Sequence, residues 1–453
     1  MFEWTEEQVA VRAAVRRFVE AEVVPRVDDL EHGDLPPYDV IRAMYSSFGM
    51  DQLARERFER TLAERRASEA RKAGAPAGAP LGAATAGAAP SAVRSGSARA
   101  EEPELGEPGA PAVAGADRSA RRGDAGSAAM TLIPIIELCR HCPGIVTAMG
   151  VSVGLAARTI MRRGTADQME RWGRDLVTFE KIGAWAITEP GSGSDALGGM
   201  QASARPVDGG YVLNGSKTFI TNGPYADTVV FYAKLDDGTG TPRRSRPVLS
   251  FVLDRGMTGF EQSAPMRKMG LHSSPTGELF LSDVHVGPDR LLGAEHEASG
   301  SDGRQSAKEN FVAERAGLAA MSLGVIEQCL ALSIDYAKNR MLWGKPIADF
   351  QLVQLKLAKM EVARLNVENL VFRHLEMEAA GRPMSLAEAS ALKLYSAQAA
   401  SEVAMEAVQL MGGNGYMAEY RVEQLARDAK VFQIYAGTDE IQVTHIAREL
   451  LGR

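Results

Sequence analysis

Proline and glycine draw the firmest boundary in this chain. Trp185 to Asp195 reads W-A-I-T-E-P-G-S-G-S-D. Ala184 to Ile187 is a short apolar run, written like a buried strand. The run stops at Thr188-Glu189-Pro190, because proline lacks an N–H and fixes its own φ. Gly191 and Gly193 let the backbone come close to a flat or charged group with no Cβ in the way. Thr188, Ser192 and Ser194 add hydroxyls, and the loop adds free N–H groups. That combination suits an isoalloxazine ring or a phosphate, although an ordinary strand-to-loop corner would read the same way.

A second stretch decides between the two. Asn214 to Gly223 reads N-G-S-K-T-F-I-T-N-G, a short apolar and β-branched strand between two turns. Phe219 can lie against a ring and Thr221 can hydrogen-bond one. The pair, at this separation, resembles the acyl-CoA dehydrogenase family. There the first motif holds the flavin's pyrimidine edge and the acyl thioester, and the second packs on the isoalloxazine. The resemblance implies FAD contacts from Trp185, Ile187, Thr188, Gly193, Ser194, Phe219 and Thr221, with Ser194 also touching substrate.

At 453 residues the chain is too long for one small core, so two or three packed units are expected. Its net charge of −7 offers no basic footprint for nucleic acid. Three cysteines, an odd and low count, argue against a disulfide framework and for a reducing compartment. Cys139 and Cys142 have C-x-x-C spacing, but in an apolar helical setting with no second pair; no metal site is expected. No apolar run reaches the roughly 18 residues of a membrane span. The acidic start, Glu3 to Glu7, is not a secretory signal. These features together predict a cytoplasmic protein.

Along the chain, Thr5 to Val24 reads as an amphipathic helix ended by Pro25, and a second helix follows Pro36-Pro37. Residues 51–129 form an unusual insert. It is first charged, then nearly all Ala, Gly, Pro, Ser, Arg and Glu from Lys72 to Ala129; it is expected to be disordered, with room for a charged helical stub before the disordered part. It stands where the family has a Gly-rich loop that shapes the acyl pocket. Residues 1–50 and 130–182 make an N-terminal helical domain. Residues 183–290 are strand-rich with turn signals between short β runs, which predicts about seven antiparallel strands. A linker (291–307) leads to a C-terminal four-helix bundle (308–453). The expected class is α+β, with helices, then sheet, then helices, which is also the family's order.

Three further motifs carry the resemblance. Arg340-Met-Leu-Trp343-Gly344-Lys345-Pro346 with Phe350-Gln351 resembles R-x-x-F-G-x-x-I-x-x-F-Q, and implies that Arg340 pairs with pyrophosphate while Trp343 and Gln351 meet the adenosine half of FAD. Gln409-Leu-Met-Gly412-Gly413-Asn414-Gly415-Tyr416 resembles the turn that grips FAD from a neighbouring subunit, which implies a homodimer or homotetramer. Ile434-Tyr435-Ala436-Gly437-Thr438-Asp439-Glu440-Ile441-Gln442 resembles I-Y-E-G-T-x-x-I-Q, with Thr438 and Glu440 reaching FAD. Many members place the catalytic Glu where this chain has Ala436. Isovaleryl-CoA and long-chain acyl-CoA dehydrogenases carry it instead just before an Arg on an earlier helix, and Glu314-Arg315 stands there.

The resemblance therefore implies FAD-dependent α,β-dehydrogenation of an acyl-CoA to the trans-2-enoyl-CoA. Glu314 takes the α-proton, the β-hydrogen leaves as hydride to flavin N5, and electrons pass to electron-transfer flavoprotein. Arg315, Tyr435, Ala436, Gly437 and Thr438 line the substrate site, the Thr438 N–H polarising the thioester carbonyl. Two other readings stay open: an acyl-CoA oxidase or flavin monooxygenase on the same fold, and a flavin- or CoA-binding scaffold without catalysis.

Overall fold

A computed structural model describes residues 3–32, 35–73, 118–293 and 303–452. The first helix, α1 (Glu6–Phe18), opens on a capping box in which Thr5 and Gln8 satisfy each other's backbone N–H. Pro25 does not end this run. A π turn (Val19–Val23) and a 3-10 turn (Val24–Arg26) absorb it, and the chain continues as α2 (Val27–His32). Proline lacks only its own N–H, so it is tolerated at the start of a new turn. Next come α3 (Tyr38–Ser47) and α4 (Met50–Ala73).

Over 51–73 the expected insert is not disordered: the charged stretch is a helical stub, as allowed, and α4 is docked on the fold. Phe58 and Leu62 are 2% exposed and pack on Ala166 and Met169 in a small core of their own. Ion pairs from Arg55 to Glu180, Arg66 to Glu170 and Glu59 to Arg174 line its rims. The charge pattern that reads as solvated is one face of a docked helix. The next helix, α5 (Arg118–Cys139), also begins inside the expected insert. Residues 74–117, on which the rest of that expectation falls, lie outside the described residues.

Helices α6 (Pro143–Met149) and α7 (Arg158–Arg163) are joined by a π stretch, and the short α8 (Ala166–Gln168) and α9 (Arg174–Val177) follow. Then come seven strands: β1 (Gly183–Ala186), β2 (Ser203–Val207), β3 (Gly210–Thr221), β4 (Thr228–Leu235), β5 (Val248–Asp254), β6 (Phe260–Gln262) and β7 (Thr276–Val286). They form one curled sheet in the order β1-β4-β2-β3-β7-β6, with β5 on β4. The pairing is mostly antiparallel, as expected, except that β1 and β2 both run parallel to β4.

The C-terminal helices are α10 (Gly303–Asn339), α11 (Gln351–Ala379), α12 (Leu386–Met411), α13 (Val422–Lys430) and α14 (Asp439–Leu450). Helix α10 begins inside the expected linker and packs on α5, α11 and α12. One core joins the two helical parts, and a second lies under the sheet. By length and composition, Pro143–Arg163 and Gly303–Asn339 could each cross a membrane, which corrects the reading that no run is long enough. Their apolar windows are 61% and 72% buried inside the fold, where they serve as core helices.

Candidate active site

The two glycine-flanked motifs meet at the edge of the sheet. The Thr218 N–H donates to the Thr188 carbonyl at 3.0 Å. Lys217 Nζ donates to the Ile187 carbonyl at 3.1 Å and to Glu189 Oε1 at 2.8 Å. Glu189 also accepts from the N–H groups of Gln201 and Ala202, closing the loop that carries Gly191 to Ser194. Sequence reasoning missed this pair. A lysine inside an apolar strand and a glutamate beside proline were the available signal, since a buried charge needs a partner. Both are buried, and burial pushes the Lys217 ammonium down to about 8 against the pull of Glu189.

One residue beyond Thr218 the ladder between β3 and β7 slips, between Lys217 and Ile220. The irregularity throws Phe219 outward at φ +58°, with 66% of it exposed. A phenylalanine held outward in left-handed backbone is unfavourable until something flat covers it. Gly191 and Gly193 have no heavy atom within 4 Å of where a Cβ would sit, so a ring can reach their backbone. These features fit a flavin.

Trp185 links this edge to the C-terminal helices. Its ring meets Phe311 of α10 edge-on at 5.8 Å, and the Arg315 guanidinium lies over Phe311 at 5.8 Å. Arg315 Nε donates to the Ala436 carbonyl at 3.0 Å. Nη1 donates to Ser390 Oγ at 3.1 Å and to His445 Nδ1 at 3.0 Å. Arg315 is 2% exposed, so it holds the Tyr435–Thr438 turn from behind, and its expected substrate contact passes through that turn. Gln442 Nε2 supports the same turn from the Ala436 and Gly437 carbonyls, at 3.0 and 2.6 Å. Ala436 sits at φ +54° and Gly437 at φ +90°, just before Thr438, whose peptide N–H comes next. That N–H has no partner among the described residues, and Thr438 is the N-cap of α14. An unpaired N–H at a helix N-terminus attracts a developing negative oxygen.

Glu314 is half-buried on α10, and its carboxylate makes no hydrogen bond or ion pair to the described residues. Burial pushes it up to about 7, opposed by the charges of Arg315 and Lys393. Tyr435, just before Ala436, is near enough to feel its charge. The Tyr435 ring stacks on Phe432, its hydroxyl lies 3.7 Å from Met321 Sδ, and burial raises the phenol. Glu314 thus lies within electrostatic range of Tyr435, with its carboxyl raised to about 7.

The other expected FAD contacts do not reach this place within one chain. Glu314 and the end of α10 at Asn339 are about 38 Å apart along the helix at the usual rise per residue. Arg340, Trp343 and Gln351 lie exposed beyond that end. The Asn414 side chain donates to the Tyr336 hydroxyl at 3.1 Å, bringing the Gln409–Gly413 turn to the same corner. Trp343 is 84% exposed at φ +51°, Gly412 and Gly413 have open space around them, and the Arg340 side chain has no partner among the described residues. The expected cofactor set thus splits into two surfaces of one protomer. Cys139 and Cys142 are free and fully buried, with thiols pushed up by burial, and no metal-ligating cluster occurs among the described residues.

The helix–sheet–helix order, with a curled sheet between two helical parts, is the architecture of the acyl-CoA dehydrogenase class of flavoprotein oxidoreductases. Residues 184–284 match the acyl-CoA dehydrogenase middle domain and residues 301–451 its C-terminal domain. The chain is 36% identical to a short-chain-specific acyl-CoA dehydrogenase of Megasphaera elsdenii, over 71% of this chain and 81% of that one. It is 35% identical to a mitochondrial isovaleryl-CoA dehydrogenase of Arabidopsis thaliana, over 70% of this chain and 75% of that one. Its fold superposes on the butyryl-CoA dehydrogenase of Megasphaera elsdenii with a TM-score of 0.73 at 29% identity, over the full length of both. The chain belongs to the acyl-CoA dehydrogenase family, and is an FAD-dependent oxidoreductase of acyl-CoA thioesters.

Proposed function

We propose that Glu314 is the base of this dehydrogenase. The observation that carries the reading is an unpaired carboxylate, raised to about 7, opposite a turn whose usual Glu is Ala436. A methyl group cannot accept a proton; a carboxylate in a dry site can. The Thr438 N–H holds the thioester carbonyl and so acidifies the α-carbon. Ser194 and Gly437 complete the substrate walls. Trp185, Ile187, Thr188, Gly193, Ser194, Phe219, Thr221 and Glu440 would hold FAD. Bound there, FAD supplies the acceptor for the β-hydrogen, which leaves as hydride.

Arg244 pairs with Asp195 at 2.7 Å beside the substrate loop, and Arg243 donates to the Gln201 carbonyl. Positive charge at that mouth suits the phosphates of CoA. Arg340, Trp343, Gln351, Gln409, Gly412 and Gly413 would serve a partner's FAD. An exposed apolar row on α11 supports such an assembly: Leu352, Leu355, Val362 and Leu365 are each more than two-fifths exposed and share a helical spacing. A homodimer or homotetramer with shared sites follows, with electron-transfer flavoprotein as acceptor. The three free buried cysteines suit a reducing compartment such as the cytoplasm.

Anaerobic flavin bleaching across a panel of acyl-CoAs tests the function. Glu314→Gln should keep FAD and bind product, and lose ~10²–10⁴ in bleaching rate. Bleaching at the wild-type rate by that variant would remove Glu314 from the mechanism. Rapid reoxidation in air would point to an oxidase instead of a dehydrogenase.

A further inference from the structure

Arg315 is held by an acceptor that the reaction scheme leaves unused. A guanidinium only donates, so the His445 Nδ1 that lies 3.0 Å from Arg315 Nη1 must accept. The ring is then neutral, with its proton on Nε2. His445 sits on α14, two turns after Thr438, and its partner Arg315 grips the Ala436 carbonyl at 3.0 Å. The turn that presents the Thr438 N–H is thus braced through Arg315 by His445.

We propose that His445 is a positioning residue for dehydrogenation: its neutral imidazole steadies Arg315 against the Ala436 carbonyl, and its protonation loosens the turn that carries the Thr438 N–H. The inference rests on the reading of Glu314 and the Thr438 N–H given above. A protonated ring loses its acceptor at Nδ1 and faces a like charge. The Arg315 guanidinium then loses one of three fixed points. Ser390 Oγ, itself donating to the Leu386 carbonyl at 2.7 Å, and the Ala436 carbonyl remain.

The charges around His445 all act in one direction. Burial lowers its pKa first, followed by Arg315 from α10 and Arg448 from its own helix. Helix α12, also packed on α14, brings Lys393 and Glu388. Lys393 is bound to Asp439 at 3.2 Å and Glu388 to Arg373 at 2.9 Å. Glu449, on α14, is bound to the Ser385 hydroxyl at 2.9 Å. With these carboxylates bound elsewhere, His445 has none of its own and stays neutral until the pH is distinctly acid.

The test is the pH profile of flavin bleaching by the holoenzyme with butyryl-CoA or isovaleryl-CoA, from about pH 5 to about pH 9. Wild type should lose rate with slope one below the Glu314 ionisation and steepen toward slope two at lower pH. His445→Gln keeps an acceptor and cannot titrate. It should match the wild-type plateau within about twofold and keep slope one throughout. His445→Leu removes the acceptor and should lower the plateau kcat about tenfold with KM little changed. A steep acid limb retained in His445→Gln overturns the proposal, as does a wild-type plateau in His445→Leu. If His445→Leu fails to hold FAD, the His445→Gln profile decides alone. An inactive Glu314→Gln beside an unchanged His445→Gln profile would sink the role of His445 and leave the base assignment standing. A fully active Glu314→Gln would sink the base assignment first.

Discussion

Single residues set the chemistry here through burial. Glu314 is raised to about 7 chiefly by desolvation, so as the proposed base it would act only above that range. Bleaching should therefore rise with pH and level off above about 7, not near the ordinary carboxylate value of 4.5. Stability runs the other way. A carboxyl raised on folding contributes stability that is full below its unfolded pKa and lost as pH rises through its folded one. Glu314→Gln should thus melt higher than wild type at alkaline pH and alike in acid, as differential scanning fluorimetry across pH would show. Lys217 is the converse case: its charge is retained because Glu189 lies 2.8 Å away in the same dry space. Lys217→Met leaves Glu189 buried without its counter-charge, which should cost ~3–5 kcal/mol in urea denaturation and strip FAD from the loop. An unchanged melting curve with full flavin would show that the two motifs do not depend on this pair.

At the scale of elements, α4 is the instructive case. A segment with Arg and Glu at more than half of its positions near 55–66 reads as solvated, and three ion pairs do sit at its rims. Phe58 and Leu62, four residues apart, nonetheless make a stripe on one face, and that stripe is buried. Phe58→Ala should lower stability by ~3–5 kcal/mol, a large value for a helix outside the two main cores. A change of a few tenths would mean that α4 rests on the surface without contributing. The sheet gives a second lesson. The register of β3 on β7 is irregular around Thr218 and Phe219, where the Phe219 ring stands exposed, so the proposed flavin face lies at a break in the ladder.

At the scale of the whole molecule, α10 holds the two surfaces apart. Glu314 and Arg340 lie at opposite stretches of one long helix, so the proposed FAD contacts at its two ends are assigned to different protomers. Flavin retention should therefore depend on protein concentration. Arg340→Ala should lose FAD on dilution, the lost charged contact being worth ~1.5–3 kcal/mol, while its secondary structure and Glu314 site stay intact. Equal flavin content in that variant and wild type at low concentration, by absorbance after gel filtration, would count against a shared site.

Local chemistry determined much of this protein in advance. Turn residues and helical periods placed the helix–sheet–helix order, and the short motifs carried the resemblance from which the flavin loops and Glu314 as the base are proposed. These depend on neighbours within a few residues, which the amino-acid order states directly. Other features required the folded chain: the Glu189–Lys217 lock, the packing of α4, the passage of Pro25 within a helical run, Arg315 turned to the back of the site, and His445 behind Arg315. Each, apart from the passage of Pro25, is a contact between residues far apart in sequence. Its sign depends on whether water is excluded when they meet, and only the tertiary structure decides that.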